Sequence, residues 1–326
     1  MGTEMTIKIG SGLVPFSKVS DRFLPGGYRD GLPIEEQLKA AVKVKGLNGV
    51  GLDYPLQFED PVKMKKKLDN LGLRLCTLEI GIYGKREWKL GAFTAPDRVA
   101  RRRAIDVVKK GMDAASILGV EDILLWLGQD GFDYPFQVNY TSNWDYLIEG
   151  IREVGEYRKD IRISVEYKLK EPRLRCHIST VGSALYIAEK VGLPNVGVTI
   201  DLGHSLLAQE NPAEAVSLLA RSKRLFQVHV NDNYCDWDSD LLVGSINLWT
   251  TLEFFYWLRK VGYKGWHIID FYPYREDGVK ALSQCIEKTR RLHELAGKLK
   301  ATDIEEFQKK HDAVAIYRLL WSEIIK

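Results

Sequence analysis

Cysteine is scarce: four residues in 326, at positions 76, 176, 235 and 285. No two are spaced for a C-x-x-C metal or redox site. Their scatter is not the framework of a small secreted domain, so a reduced, cytoplasmic setting is expected. No apolar run approaches the roughly 18 residues of a membrane span, so no membrane association is expected. The start, MGTEMTIKIG, lacks a basic region followed by an apolar one, and no secretory signal is read there. It fits M-G-x-x-x-[ST] with Thr6 in the last place, but a cloning remnant ahead of Met5 explains Met1–Glu4 as well. Charge of one sign is scarce too: 47 Lys+Arg against 44 Asp+Glu leave a net +3. That is no electrostatic footprint for nucleic acid. The dense basic run, Arg98–Arg103, lies in a helical pattern and reads as a solvated helix face. No G-x-G-x-x-G or Walker pattern follows the first apolar run, which counts against a nucleotide-binding fold.

What is present is a 45% hydrophobic chain in which strand and helix patterns alternate from end to end. Strand-like runs are Thr6–Gly10, Gly49–Leu52, Arg74–Ile80, Asp122–Trp126, Arg162–Glu166, Val196–Ile200, Leu225–Val230 and Trp266–Asp270. They are near-continuous apolar runs, as in a parallel sheet buried on both faces. Each is followed by a helical pattern, and eight such units suit a closed (β/α)8 TIM barrel better than an open sheet. With no linker and no sequence repeat, residues 1–299 read as one α/β barrel domain. Residues 300–326 read as a short C-terminal helical tail. Ile304, Phe307, Val314, Tyr317, Leu320, Trp321 and Ile324 recur there at helical spacing. That apolar face needs a cover, either its own barrel or another subunit, and a homodimer or homotetramer is expected.

In such a barrel the chemistry sits at the C-terminal ends of the strands. The stretch Val196–Gly244 draws attention first. Two apolar runs there end in metal-binding types, Asp201 and His204 after one, His229, Asp238 and Asp240 at and beyond the other. Glu166, Asp201, His229 and Asp270 come from four consecutive strand ends and would make a four-ligand site for a divalent ion. His204, Asp238 and Asp240, with Asp201 bridging, would make a second. Acidic groups and imidazoles packed together call for a cation between them. Singly, each has a plainer reading: Asp201 as a helix cap, His229 as a core histidine, Asp238 and Asp240 as turn residues. Together they must explain why every strand from the fifth to the eighth ends on a ligand type, which favours metal. Lys168, two residues past Glu166, points to the same side of the strand. Asn231 stands beyond the seventh strand and Asp53 ends the second. Trp126 and Phe93 read either as core aromatics or as an apolar wall at the barrel mouth.

These residues resemble a known family. GAFTAPDRVARRRAI, LLWLGQDG, the E-x-K and EPR of VEYKLKEPR, and DWDSDLLVG are similar to segments of xylose isomerases, in order from about Gly51 to Arg275. The resemblance implies a sugar isomerase interconverting aldose and ketose by hydride shift, with one or two divalent ions (Mn, Co or Mg) and a small-molecule sugar substrate. It places Glu166, Asp201, His229 and Asp270 on the structural-metal ligands. Asp201, His204, Asp238 and Asp240 fall on the catalytic-metal ligands. Lys168 falls on the lysine at the substrate's carbonyl end, and Trp126 and Phe93 on the aromatic pair shielding the hydride path. His229 stands where xylose isomerases carry a carboxylate, as in the L-rhamnose isomerase pattern, and Asp53 stands in place of the ring-opening histidine. The alternative within the same superfamily is a single-metal epimerase, or a C-glycoside-cleaving lyase, acting by proton abstraction.

Overall fold

The computed structural model describes residues 7–324; Met1–Glu4 and Thr6, with the N-terminal motif read there, and Lys326 lie outside them. Eight parallel strands close into a barrel: β1 Lys8–Ser11, β2 Gly49–Tyr54, β3 Leu75–Ile80, β4 Asp122–Trp126, β5 Arg162–Glu166, β6 Val196–Asp201, β7 Leu225–Val230 and β8 Trp266–Ile269. They follow one another around the ring in chain order, with β8 pairing back onto β1. The helices lie outside: α1 Ile34–Val42, α2 Pro61–Leu71, α3 Arg98–Leu118, α4 Tyr140–Tyr157, α5 Val181–Val191, α6 Leu202–Leu207, α7 Pro212–Arg221, α8 Leu248–Lys260 and α9 Gly278–Lys298. The α/β barrel expected from the alternating pattern is therefore present.

Local chemistry sets the helix ends. The Asp60 side chain accepts from Lys63 N, Pro61 occupies the first turn, and Gly72 at φ 65° takes the left-handed C-cap of α2. Asp97 and Gly119 do the same for α3. Thr180 and Ser183 form a reciprocal capping box on α5.

Side chains alternate along each strand, so inward residues stack in layers inside the barrel. The middle layer is small and polar. Ser164 and Thr199 hydroxyls meet at 2.6 Å and Thr77 Oγ1 donates to Gln227 Oε1 at 3.1 Å, all buried. Two residues further along each strand the chain reaches Glu79, Glu166, Asp201 and His229, the layer that faces the mouth.

The sequence reading missed two elements. A two-stranded antiparallel ribbon, Gly131–Phe132 with Arg175–Cys176, sits over the mouth side. The six-residue α6 was not expected, and the tail forms two helices, α10 Ala301–Lys309 and α11 Ala313–Ile324. The tail folds back on its own barrel: Ile304 is buried, and Ile316, Leu319 and Leu320 pack against the main core. Tyr317 and Trp321 form a ring cluster with Trp249 of α8, at 6.0 and 5.8 Å between centroids.

Candidate metal centre

The four strand-end groups converge. One ligand atom from each of Glu166, Asp201, His229 and Asp270 lies within 4.8 Å of the other three. Ligands about 2.0–2.6 Å from a shared ion sit within about 5 Å of one another, so the spacing fits a divalent cation. Register places them: Asp201 pairs with His229 across β6 and β7, while Asp270 follows the last residue of β8. His229 Nδ1 stands 3.1 Å from Glu166 Oε1 and 3.4 Å from Asp270 Oδ2. Yet both His229 nitrogens and Glu166 Oε1 are buried without a hydrogen-bond partner. Buried polar atoms normally find partners; here they aim between one another, at a common point.

Asp201 serves both readings of its sequence. Its Oδ1 accepts from His204 N at 2.8 Å and caps α6, while Oδ2 faces His229 at 3.9 Å. Burial pushes its carboxyl up to about 6, His204 opposing and Glu166 and Asp238 adding to the rise. Burial would hold His229 neutral, but the Glu166 and Asp270 carboxylates outweigh it and raise its pKa well above the ordinary value. A divalent ion would satisfy the same negative charge with a neutral imidazole.

The second set lies directly beside the first. His204 Nδ1 is 3.4 Å from Glu166 Oε1 and its Nε2 is 3.1 Å from Asp238 Oδ2. Lys168 Nζ also holds Asp238, at 2.8 Å, and Glu171 at 2.7 Å. Burial disfavours the Asp238 carboxylate, but His204 and Lys168 outweigh it and hold its pKa well below the usual range. Asp240, at φ 47°, is raised well above that range by burial and by Asp238. Asn231 is fully buried, and its Nδ2 donates to Asp201 at 3.1 Å and Asp240 at 3.2 Å. Its amide thus bridges the two carboxylates.

Across the mouth stands a group the sequence reading half missed. Asp53 and Glu79 are register neighbours on β2 and β3. Burial, with Asp270 adding, lifts Asp53 to about 6 despite its hydrogen bond to Glu79. Burial and the Asp53 charge raise Glu79 well above its ordinary value, and Tyr83 hydrogen-bonds to it. Two adjacent buried carboxyls each disfavour the other's ionisation. The signal was present: Glu79 follows the inward Thr77 by two residues.

Trp126 stands at the mouth. Its ring is 5.0 Å from Tyr83 and Lys168 Nζ lies 5.3 Å from its centroid. Phe93 departs from the expected wall. It is 1% exposed in the main core, so close to α4 that a Cβ on Gly150 would come within 3.1 Å of its ring. Its loop is pulled inward by Asp130, which accepts from Ala92 N at 3.1 Å and Thr94 Oγ1 at 2.8 Å. Tyr83 takes the position beside Trp126 that Phe93 was expected to fill.

A closed βα barrel with a carboxylate–histidine cluster at its C-terminal mouth defines a class of metal-dependent barrel. Within it, the chain belongs to the family described as Xylose isomerase-like TIM barrel, which it matches over residues 38–292. It is 29% identical over 246 residues to a xylose isomerase of Thermus thermophilus, a match spanning 72% of this chain and 64% of that protein. The chain thus spans less than two thirds of that relative's length. Among solved structures, L-ribulose 3-epimerase superposes with a TM-score of 0.71 at 15% identity, covering 90% of this chain and 96% of the other. A D-tagatose 3-epimerase-like protein does so with 0.68 at 20%, covering 90% and 99%. At these identities the two structures speak for the fold.

Proposed function

We propose that the protein is a divalent-metal-dependent sugar isomerase interconverting an aldose and a ketose. The observation that carries this reading is the convergence of Glu166, Asp201, His229 and Asp270, with His204 against Glu166, Asp238 held by His204 and Lys168, and Asp240 linked to Asp201 through Asn231. The four converging groups would hold one ion; Asp201, His204, Asp238 and Asp240 would hold a second. Mn or Co suits a mixed carboxylate and imidazole set, with Mg the harder option. A bound ion supplies Lewis-acid polarisation of the sugar's oxygens. The chain does the rest. Lys168 stabilises charge developing on the carbonyl oxygen. Asp240, placed beside Asp201 by the Asn231 amide, steers the movement of the hydroxyl proton. The Asp53–Glu79 pair stands across the mouth as an acid–base group for the opposite end of the sugar. Trp126 and Tyr83 keep water from the carbons between which hydrogen passes as hydride.

A second reading has its own observation. Lys168 and His204 both engage Asp238, which leaves the four-group cluster as one metal site, and the carboxyl pair opposite is a candidate acid–base. That arrangement suits epimerisation, or cleavage of a C-glycoside, by proton abstraction. Conversion of a panel of free and ring-conjugated aldoses and ketoses by Mn-loaded protein in heavy water separates the two. Hydride shift leaves the product without carbon-bound deuterium. Deuterium at the reacting carbon supports the second reading, and no conversion of any sugar in the panel overturns both.

A further inference from the structure

A cavity of about 840 Å3 opens from Asp238 and Asp240 and extends well past the metal cluster. It opens between four segments: Ser20–Phe23 after β1, Lys170 and Pro172 after β5, Trp237–Ser245 after β7, and Phe271–Glu276 after β8. Asp238 and Asp240 form part of its wall; Glu166, Asp201, His229 and Asp270 do not. A single pentose or hexose held at Asp238 and Asp240 would fill only part of a space of about 840 Å3. Its other lining combines the aromatic Phe23, Trp237, Tyr272 and Tyr274 with a charged rim that includes Arg22, Lys170, Arg275 and Glu276.

Two of the walls are tied down by their own contacts. Tyr272 N donates to Asp240 O at 3.1 Å, tying the aromatic segment to the catalytic loop. Tyr272 and Tyr274 stack at 6.3 Å and 28°, and Tyr28 meets Tyr274 edge-on at 5.3 Å. Arg29 donates to the carbonyls of Pro273 and Glu276. Asp21 accepts from Phe23 N and Leu24 N, both at 2.8 Å, and from Tyr28 Oη at 2.9 Å. Binding there therefore costs little ordering of those segments. Tyr and Trp offer a flat apolar face with a polar edge, the surface that a ring bearing hydroxyls covers best.

We infer that the substrate is a sugar conjugate, with the reacting sugar at the metal cluster and a second ring, aryl or glycosyl, in the aromatic cavity between Phe23, Trp237 and Tyr274. This rests on the sugar-enzyme reading above and narrows its substrate class. It is compatible with either hydrogen-transfer route. Isomerisation needs a free reducing end, so the second ring then hangs from the far end of the sugar; proton abstraction also admits it at the anomeric carbon.

The experiment is isothermal titration of the Mn-loaded full chain with D-glucose, cellobiose and phenyl β-D-glucopyranoside, repeated with Trp237→Ala and Tyr274→Ala. At least one conjugate should bind tenfold or more tightly than D-glucose. Each substitution should bring that ratio to within about twofold of unity. Preference for cellobiose identifies a glycosyl ring with the reducing end free, and preference for the phenyl glycoside an aryl ring at the anomeric carbon. Equal affinities in the unsubstituted protein, or an advantage that survives both substitutions, overturns the inference and leaves the sugar-enzyme reading standing. No Mn-dependent binding of any of the sugars overturns that reading as well.

Discussion

The barrel has a cavity at each end, and the two are nearly equal in size, about 880 Å3 at the N-terminal end and about 840 Å3 beside the C-terminal mouth. Their chemistry differs. At the N-terminal end, Arg162 grips Asp122 with two parallel bonds, Nε to Oδ1 at 2.5 Å and Nη2 to Oδ2 at 2.6 Å, and lies over the Phe226 ring. Tyr263 Oη donates to Trp266 O at 2.9 Å. At the mouth, carboxyls outnumber the cations among them, and Glu166, His204, His229, Asn231 and Asp238 each keep a buried polar atom without a partner. At one end the buried charges are paired, with Gln227 Nε2 a buried atom left over; at the other, unpartnered ligand-type atoms cluster around one point. Volume does not distinguish them, and electrostatic completeness does.

Substitution at the two ends should break different properties. His229→Ala removes a strand-end ligand. Loss of an ion's charge stabilisation costs several kcal/mol, so turnover should fall roughly a thousandfold or more. Mn binding measured by titration should weaken in parallel, and chelation should reproduce the loss in the unsubstituted protein. Turnover unaffected by both would place the chemistry elsewhere.

Arg162→Ala strands the Asp122 carboxylate, whose pKa burial already raises against the pull of Arg162. Denaturant unfolding should show a loss of about 2 kcal/mol, as for a buried charge deprived of its partner. Mn affinity should not change. A loss of Mn affinity with no loss of stability would reverse the roles assigned to the two ends.

A smaller effect tests the same principle away from both. Burial lowers His177 to about 4, and its Nε2 accepts from Asn143 Nδ2 at 2.9 Å, so the ring is neutral when folded. As pH falls below about 6.5 the unfolded chain takes up a proton that the folded chain refuses, and stability drops until pH reaches about 4. Urea titrations across that window should show His177→Gln removing about 1–2 kcal/mol of the drop. An unchanged slope would mean that His177 is not held neutral by the fold.

The framework of the barrel was legible because each strand is a near-continuous apolar run and several helices carry their own caps, as with Asp60 and Gly72 around α2. Strand ends then located the metal cluster, since chain order and strand order coincide around the ring. What the sequence hid depends on tertiary contact. The two residues of Gly131–Phe132 pair with a segment more than forty positions away, and no local period marks them. Phe93 looks the same in a loop whether it faces the mouth or α4; the Asp130 bonds that draw its loop inward are long-range. Glu79 was passed over as a strand residue, and its meaning emerged only from its pairing with Asp53.

Anomalous diffraction at the manganese edge from Mn-soaked crystals tests the central claim most directly. The account predicts a peak within about 2.0–2.6 Å of Glu166, Asp201, His229 and Asp270 together. A fully soaked crystal with no peak among those four side chains, or with its strongest peak at the N-terminal cavity, would contradict it.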